Sequence, residues 1–432
     1  MQIENFSSTT KNIDDKQTST THPTEKQPKW RSMLDPWWKA MLEVLPVFIA
    51  TRLLFVLLTY FGVILFTVRN YSPQELSTPI LLFSWYHWDV DRFATIAIEG
   101  YKQFDNTAFF PLFPLLEHIV SVVLHKSTLV SGMLISNLAF LAALVVLYRF
   151  AETEFDSDTA KRTALYISIY PTALFFFAAY NESLFMLFML LSFYAMRRGS
   201  WWLAGLFGGL ATLTRSIGLL LLAVFLYEFV RQVLPQLRHA WREKQHWQCL
   251  RMLSGLLAAL PIPLALGIFS YYLYMQFHDP LAFTHSQVHW HLGPTFPWVA
   301  LGASLNLLLT IKPYTFAIPH ILIELTSVVL FATLLILCFV GPERFSVGQW
   351  SMLLFGIVAL LYPLLFPGLP GSHGVPYDPL PSMDRYVLEI FPAFILLARL
   401  GRRSGFHTTY LLFALPMLTF LVLQFLTGHW TI

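Results

Sequence analysis

Two aspartates two positions apart, Asp89 and Asp91, stand beside Arg92 and His87 and among Trp85, Tyr86 and Trp88 in the stretch S-W-Y-H-W-D-V-D-R-F at 84–93. A carboxylate in such a setting can act as a general base, taking the proton of an attacking hydroxyl. One carboxylate is enough where the leaving group departs unaided. A sugar carried on a lipid phosphate is such a case, needing only cations or hydrogen-bond donors to stabilise the departing phosphate. Glycoside hydrolysis normally uses two carboxyl groups. Cations suited to a phosphate lie far downstream, at Arg215 and at Arg385, which Tyr386 follows. Tyr180, Asn181 and Glu182 form a polar turn that can meet a sugar hydroxyl, and Trp88 can stack on a sugar ring. Each has a plainer reading. Asp89, Asp91 and Arg92 can be a solvated, mutually paired helix face, Arg215 a charge capping a broken helix and Arg385 a snorkelling anchor. The turn can need Asn181 and Ser183 for its own geometry, and His87 can be an interfacial aromatic.

The elements that must position these residues are hydrophobic. Of 432 residues, 56% are hydrophobic, 16% aromatic and only 12% charged, against about 25% charged in an ordinary soluble domain. This composition points to an all-α, multi-pass membrane protein. The formal net charge of +3 implies no nucleic-acid partner. Cys249 and Cys338 show neither metal spacing nor a disulfide framework. Residues 1–43 read as a cytoplasmic, disordered tail with an amphipathic end carrying Trp30, Trp37, Trp38 and Lys39. No signal peptide precedes the first apolar run, which is therefore expected to stay as a signal anchor. Residues 44–432 read as one transmembrane domain, in which 69–127 form an outer catalytic loop with interfacial helices.

Apolar runs fall at 44–68, 109–124, 128–148, 163–180, 183–196, 201–214, 216–229, 252–276, 298–311, 320–341, 350–366, 386–400 and 408–427. The short, Pro-flanked runs 109–124 and 298–311 read as interfacial or re-entrant. Basic clusters at Lys161–Arg162, Arg197–Arg198, 231–251 and Arg399–Arg403 belong on the cytoplasmic side, and the loops 69–108, 277–297 and 367–385 on the other. Together these predict about 11 spans, the N-terminus inside and the C-terminus outside. Splitting 201–229 at Thr214-Arg215-Ser216 places Arg215 at the outer surface. One straight helix would bury it near the midplane, at about 2.5–3.5 kcal/mol.

If 85–101 is helical, Val90, Phe93, Ala94, Ala97 and Tyr101 share one apolar face, and Asp89 and Arg92 can touch. Asp91 then points elsewhere. If the residues before Phe93 are extended, the two aspartates share a face. Either way, Trp and Tyr are expected at headgroup level with the carboxylates toward water. His285, His289 and His291 form an H-x-x-x-H-x-H pattern that could hold a metal. A polar outer loop lining an acceptor groove with Trp290 is the stronger reading.

The segment W-D-V-D-R-F-A-T-I-A-I-E-G-Y at 88–101, followed by F-F-P-L-F-P at 109–114, resembles the signature of the GPI mannosyltransferase II (PIG-V) family and its bacterial relatives. Y-P-T-A-L-F-F-F-A-A-Y-N-E-S-L-F at 170–185 is similar to the family's Pro-containing span ending in Y-S/N-E-S. L-T-R-S-I-G-L-L at 213–220 resembles its T-R-S-N-G element, and R-Y-V-L-E-I-F-P-A-F at 385–394 a late motif. The resemblance implies a GT-C-like membrane enzyme that takes mannose from a polyprenyl phosphate and inverts the anomeric carbon. It makes Asp89 the catalytic or acceptor-positioning carboxylate and ranks Asp91 second. Arg92 stands where animal and fungal members usually carry His, and Ile217 where Asn is common, so roles tied to that imidazole or that amide do not carry over.

The partners this implies are a polyprenyl-phosphate-sugar donor, an acceptor that is a glycolipid, polymer or protein, and the bilayer itself. The chemistry calls for no cofactor, and one D-x-D is too weak a pattern to imply a divalent metal. With no ER signal legible, a bacterial cell membrane is favoured (the ER membrane in a eukaryote), with the active site on the non-cytoplasmic side. The rival class is a transporter or flippase of lipid-linked sugars. It would carry its polar groups at mid-bilayer on discontinuous helices related by inverted repeats, and no repeat is visible here.

Overall fold

The computed structural model describes residues 29–67, 77–312, 315, 317–370 and 377–429, with side chains from residue 35. Among them every regular element is helical, apart from one antiparallel bridge between Leu292 and Gly368. The chain opens with α1 (Lys29–Gly62), α2 (Thr78–Phe83), α3 (Asp89–Glu99) and α4 (Leu112–Leu124). The first large group is α5 (Thr128–Glu154), α6 (Ser157–Ser168), α7 (Glu182–Arg197), α8 (Trp201–Thr214) and α9 (Leu221–Arg242). Then come α10 (His246–Leu253), α11 (Pro261–Phe277), α12 (Ala282–His285), α13 (Pro297–Thr310) and α14 (Ala317–Val340). The last are α15 (Trp350–Leu364), α16 (Met383–Tyr386), α17 (Phe391–Leu400) and α18 (Ser404–Leu426).

Seven helical stretches among the described residues are long and apolar enough to cross a membrane: Asp35–Phe66, Thr128–Glu154, Ser216–Arg242, His246–Phe277, Ala317–Val340, Val347–Leu364 and Ser404–Leu426. The other four expected crossings are occupied by shorter helices, α6, α7, α8 and α17, of 12, 16, 14 and 10 residues. Each of these stops or starts at a break that exposes polar groups. α6 ends at Ser168, just before Pro171, because the residue preceding a proline is pushed out of the helical region. α8 ends at Arg215, whose backbone is extended (φ −151°, ψ 143°). The first apolar helix begins at Lys29, so Trp37, Trp38 and Lys39 of the expected amphipathic tail lie within α1. Residues 1–28 lie outside the described residues.

The core of the bundle is α5–α8 with α17, flanked by α1 and α18 on one side and by α9, α11, α14 and α15 on the others. Close approach depends on small residues, the usual basis of helix packing in lipid. A Cβ on Gly205 would lie 1.6 Å from the Ala258 carbonyl oxygen, and one on Gly209 2.7 Å from that of Pro261. The outward faces carry exposed apolar side chains such as Leu53, Val56, Ile268, Val329, Ile336, Leu412 and Phe413. Surface of that kind is stable against lipid rather than water.

Charged groups gather at two opposite ends. One end joins the termini of α5, α7, α14 and α17: Arg197 meets Glu154 and Glu228 at 3.0 Å each, and Lys39 meets Glu152 at 3.1 Å. Arg399 pairs there with Glu343, and Arg402 with Asp156. The basic clusters expected on the cytoplasmic side all fall at this end. The other end carries the starts of α3 and α7, the end of α8 and the segment before α17.

Candidate functional site

The local backbone before α3 presents Asp89. Trp88 sits at φ 51°, ψ −114°, a strained setting for a non-glycine residue. It turns the chain so that Asp89 is the first residue of the helix, where the unpaired N–H groups favour an anion. Val90, Phe93, Ala94, Ala97 and Tyr101 are all buried, as the periodicity requires. The helix is shorter than 85–101, and Trp85, Phe93 and Tyr101 of that stretch are buried in the protein. Trp85 is fully buried against Phe177 and Phe425 and donates from Nε1 to Thr59 Oγ1 at 2.9 Å.

A second element is the break between α6 and α7. Arg52 on α1 donates to Asn137 Oδ1 at 2.8 Å and to the Phe176 carbonyl at 2.7 Å, and Asn137 donates to the Phe177 carbonyl at 3.0 Å. Ser136 Oγ reaches the Tyr180 carbonyl at 2.6 Å. These bonds satisfy carbonyls that no helix can satisfy there, and they fix the Tyr180-Asn181-Glu182 turn. A third element is the break between α8 and α9. A Cβ on Gly218 would lie 2.4 Å from the Thr212 amide nitrogen, so only glycine lets the chain fold back there. The fourth is α16. The Asp384 amide donates to Glu324 Oε2 at 2.9 Å and Thr172 Oγ1 to the Asp384 carbonyl at 2.8 Å, holding the turn that carries Arg385.

The four breaks converge. Arg385 Nη1 lies 2.6 Å from Asp89 Oδ2, and its Nε contacts Glu182 Oε1. Arg215 Nη1 contacts the same Glu182 oxygen, and its Nε lies 3.0 Å from Glu389 Oε1. Asn181 Oδ1 accepts from Arg215 at 3.3 Å while its Nδ2 donates to the Thr214 carbonyl at 3.1 Å. The Arg385 guanidinium lies 4.7 Å from the Tyr180 ring centre and 5.1 Å from that of Phe175, and Arg215 lies 5.1 Å from the Tyr386 ring centre. Glu182 and Glu389 are each 1% exposed and Arg215 9%. Arg215 is thus buried within the protein at the site end of the bundle, where Glu182 and Glu389 supply the counter-charge that offsets its desolvation.

This network borders a cavity of about 320 Å³, within the range of small-ligand sites. Asp89, Trp88, Tyr180, Asn181, Arg215, Arg385 and Tyr386 line it. Phe109, Phe110, Phe283 and Trp290 form an aromatic wall opposite, with Thr284 and Gln287 as polar groups. The outer 277–297 loop thus does border the site. Its histidines do not gather: His285 Nδ1 pairs with Asp279 at 2.7 Å and His289 lies 3.6 Å from Asp105. Among the described residues no group of three His, Cys, Asp or Glu side chains could hold a metal ion.

Three residues close to Asp89 along the chain do not line the cavity. Asp91 accepts from the Tyr86 hydroxyl at 3.0 Å. Arg92 does not pair with Asp89 but lies 5.2 Å from the Trp290 ring centre, since Arg385 already holds that carboxylate. His87 packs on Trp88 and Phe425, where burial lowers its pKa. Burial, reinforced by Asp91, likewise pushes the Tyr86 hydroxyl up to about 12. The side chains that sequence reading passes over are Glu389, Ser216 and Tyr362, the last two hydrogen-bonded at 2.8 Å. Glu389 stands four residues after Arg385 inside the R-Y-V-L-E segment, and that spacing is its one signal.

A family model described as mannosyltransferase (PIG-V) matches residues 45–302. GPI alpha-1,6-mannosyltransferase 2 of Rattus norvegicus is 29% identical over 269 residues, covering 57% of this chain and 54% of the relative. Its Mus musculus counterpart is 30% identical over 205 residues, covering 45% and 41%. The chain spans about half the length of the curated relatives it matches. Among solved structures, ArnT from Cupriavidus metallidurans bound to undecaprenyl phosphate aligns with a TM-score of 0.46 at 16% identity, covering 77% of this chain and 60% of that one. The Archaeoglobus fulgidus oligosaccharyltransferase aligns with a TM-score of 0.44 at 11% identity, covering 93% and 56%. The family match extends over more than half of the chain and takes in Asp89, the Tyr180–Glu182 turn and Arg215, so the chain belongs to the mannosyltransferase (PIG-V) family.

Proposed function

We propose that this chain is a membrane mannosyltransferase that moves mannose, or a similar hexose, from a polyprenyl-phosphate donor to an acceptor hydroxyl with inversion. Asp89 is the general base. Arg215 and Arg385 receive the phosphate, and the aromatic wall with Thr284 and Gln287 receives the acceptor. The observation that carries this reading is one carboxylate at a helix N-terminus, facing the same cavity as two guanidiniums whose side chains are only 10% and 12% exposed. One base and clustered cations are what transfer from a phosphate leaving group requires. Family membership supports the sugar. Asp91, on the far side of Asp89's helix, has no part in the step.

The bilayer positions both substrates. A donor with a long isoprenoid tail lies in lipid, and the site end of the bundle is where a phosphate at the membrane surface would meet Arg385. The absence of the basic clusters from this end supports an active site on the non-cytoplasmic side. The test is transfer from radiolabelled polyprenyl-phosphate-mannose in membranes containing the full chain. Wild type should label an acceptor fraction, and Asp89→Asn should lower the rate by about 10²–10⁴-fold. Labelled lipid that merely crosses to the opposite leaflet, with no transfer, would overturn the enzyme reading in favour of a flippase.

A further inference from the structure

The guanidiniums that would receive the donor phosphate are already engaged. Three carboxylates, Asp89, Glu182 and Glu389, face two guanidiniums, Arg215 and Arg385. A phosphodiester added to this set would leave more anionic groups than cations in a largely dry site, even with the Glu389 carboxyl protonated, which is strongly unfavourable. One carboxylate has to give way. Glu182 is held by both arginines, and Glu182 and Glu389 have side chains only 1% exposed. Asp89 touches one arginine alone, as Glu389 does, but its side chain is 21% exposed and it lines the cavity, which neither glutamate does.

We infer that the donor phosphate displaces Asp89 from Arg385, so that the base is released only when a donor is in place. This rests on the function proposed above. Asp89 is engaged with Arg385 and holds that guanidinium in the orientation a phosphate needs. When the phosphate takes over Arg385, the freed carboxylate turns to the acceptor hydroxyl. The acceptor oxygen then bonds to the anomeric carbon, and the bond from that carbon to the phosphate oxygen breaks. Its electron pair stays on the phosphate, held by Arg385, and the acceptor's proton passes to Asp89. Once Asp89 returns that proton to water, it competes again for Arg385 and expels the lipid phosphate. The same carboxylate is base, gate and product-release group, and an acceptor arriving without a donor meets an occupied base.

The test is direct binding of undecaprenyl phosphate to the purified full chain in phosphatidylcholine nanodiscs. Removing a competing carboxylate should tighten binding, so Asp89→Asn and Asp89→Ser should each bind roughly tenfold more tightly than wild type. Asp105→Asn, which removes a carboxylate from the outer rim, should bind as wild type does. Unchanged or weaker binding in the Asp89 variant that keeps the wild-type unfolding temperature overturns the inference. So does an equal gain in Asp105→Asn, which would make the effect one of net charge. If wild type and variants alike fail to bind undecaprenyl phosphate, the donor class proposed above falls as well.

Discussion

Among single residues, the site is a shared ion network rather than a set of independent contacts. Glu182 serves both arginines, and Glu389 completes the neutralisation of Arg215. Glu389→Gln should therefore destabilise the protein by about 1–3 kcal/mol, less than a fully orphaned buried charge would, because Glu182 remains. Thermal unfolding of the detergent-solubilised variant checks this. An unchanged midpoint would mean that Glu182 alone neutralises Arg215. Arg215→Lys should cost more in transfer rate than in stability, since a lysine keeps the charge but cannot address Glu182, Glu389 and a phosphate together. A stability loss as large as the activity loss would contradict that division.

One level up, the unbroken helices build the wall and the broken ones build the site. α8 shows both behaviours. Its Gly205 brings it against the helical turn Ser254–Ala259 and its Gly209 against the start of α11, and its C-terminal break delivers Arg215. Gly205→Ala should push α8 away from the turn Ser254–Ala259 that precedes α11, at a cost of about 1–3 kcal/mol, read as a lower unfolding temperature. A variant as stable as wild type would show that the carbonyl of Ala258 can move aside freely. α6 depends on its cap. Burial raises the pKa of Asp156, but the Thr159 amide and hydroxyl and the Arg402 guanidinium outweigh it and hold the carboxyl below its usual value. A depressed folded pKa adds stability above the ordinary aspartate pKa of about 3.9, which is lost as pH falls through the folded value. Asp156→Ala should cost about 1 kcal/mol at neutral pH, most of it from the lost cap. The gap to wild type in unfolding temperature should close on acidification. A gap that is constant from pH 7 to pH 3 would sink this account.

The molecule as a whole has a basic end and a site end, and the axis between them predicts how it sits in a membrane. Cys249 and Cys338 are both buried, so a membrane-impermeant maleimide does not reach them and the native background serves. Single cysteines introduced at Lys244 and at His289 should be labelled by a membrane-impermeant maleimide from opposite sides of sealed vesicles. Labelling of both from one side would refute the orientation and the extracytoplasmic site. The lipid-facing apolar surfaces of α1, α11, α14 and α18 should likewise make the protein aggregate when detergent is withdrawn.

Much of this is legible in the order of the residues. Composition and the spacing of apolar runs alone require a helical membrane bundle, since a chain so poor in charge has too few groups to meet water. The placement of Lys and Arg sorts the helix ends correctly into two sets. The periodicity of 85–101 identifies the buried face of α3, and the Thr214-Arg215-Ser216 interruption marks a real break. Tertiary structure alone decides which charges meet. Asp89 and Arg92 are three apart in sequence, yet Asp89 pairs with Arg385, 296 residues away. A surface pair in water is weak and interchangeable, whereas a half-buried carboxylate takes the partner that the surrounding helices press against it. The same reason hides Glu389. Its neighbours in sequence are apolar, and its charge has meaning only beside Arg215, which the folding back of the chain at Gly218 brings to it.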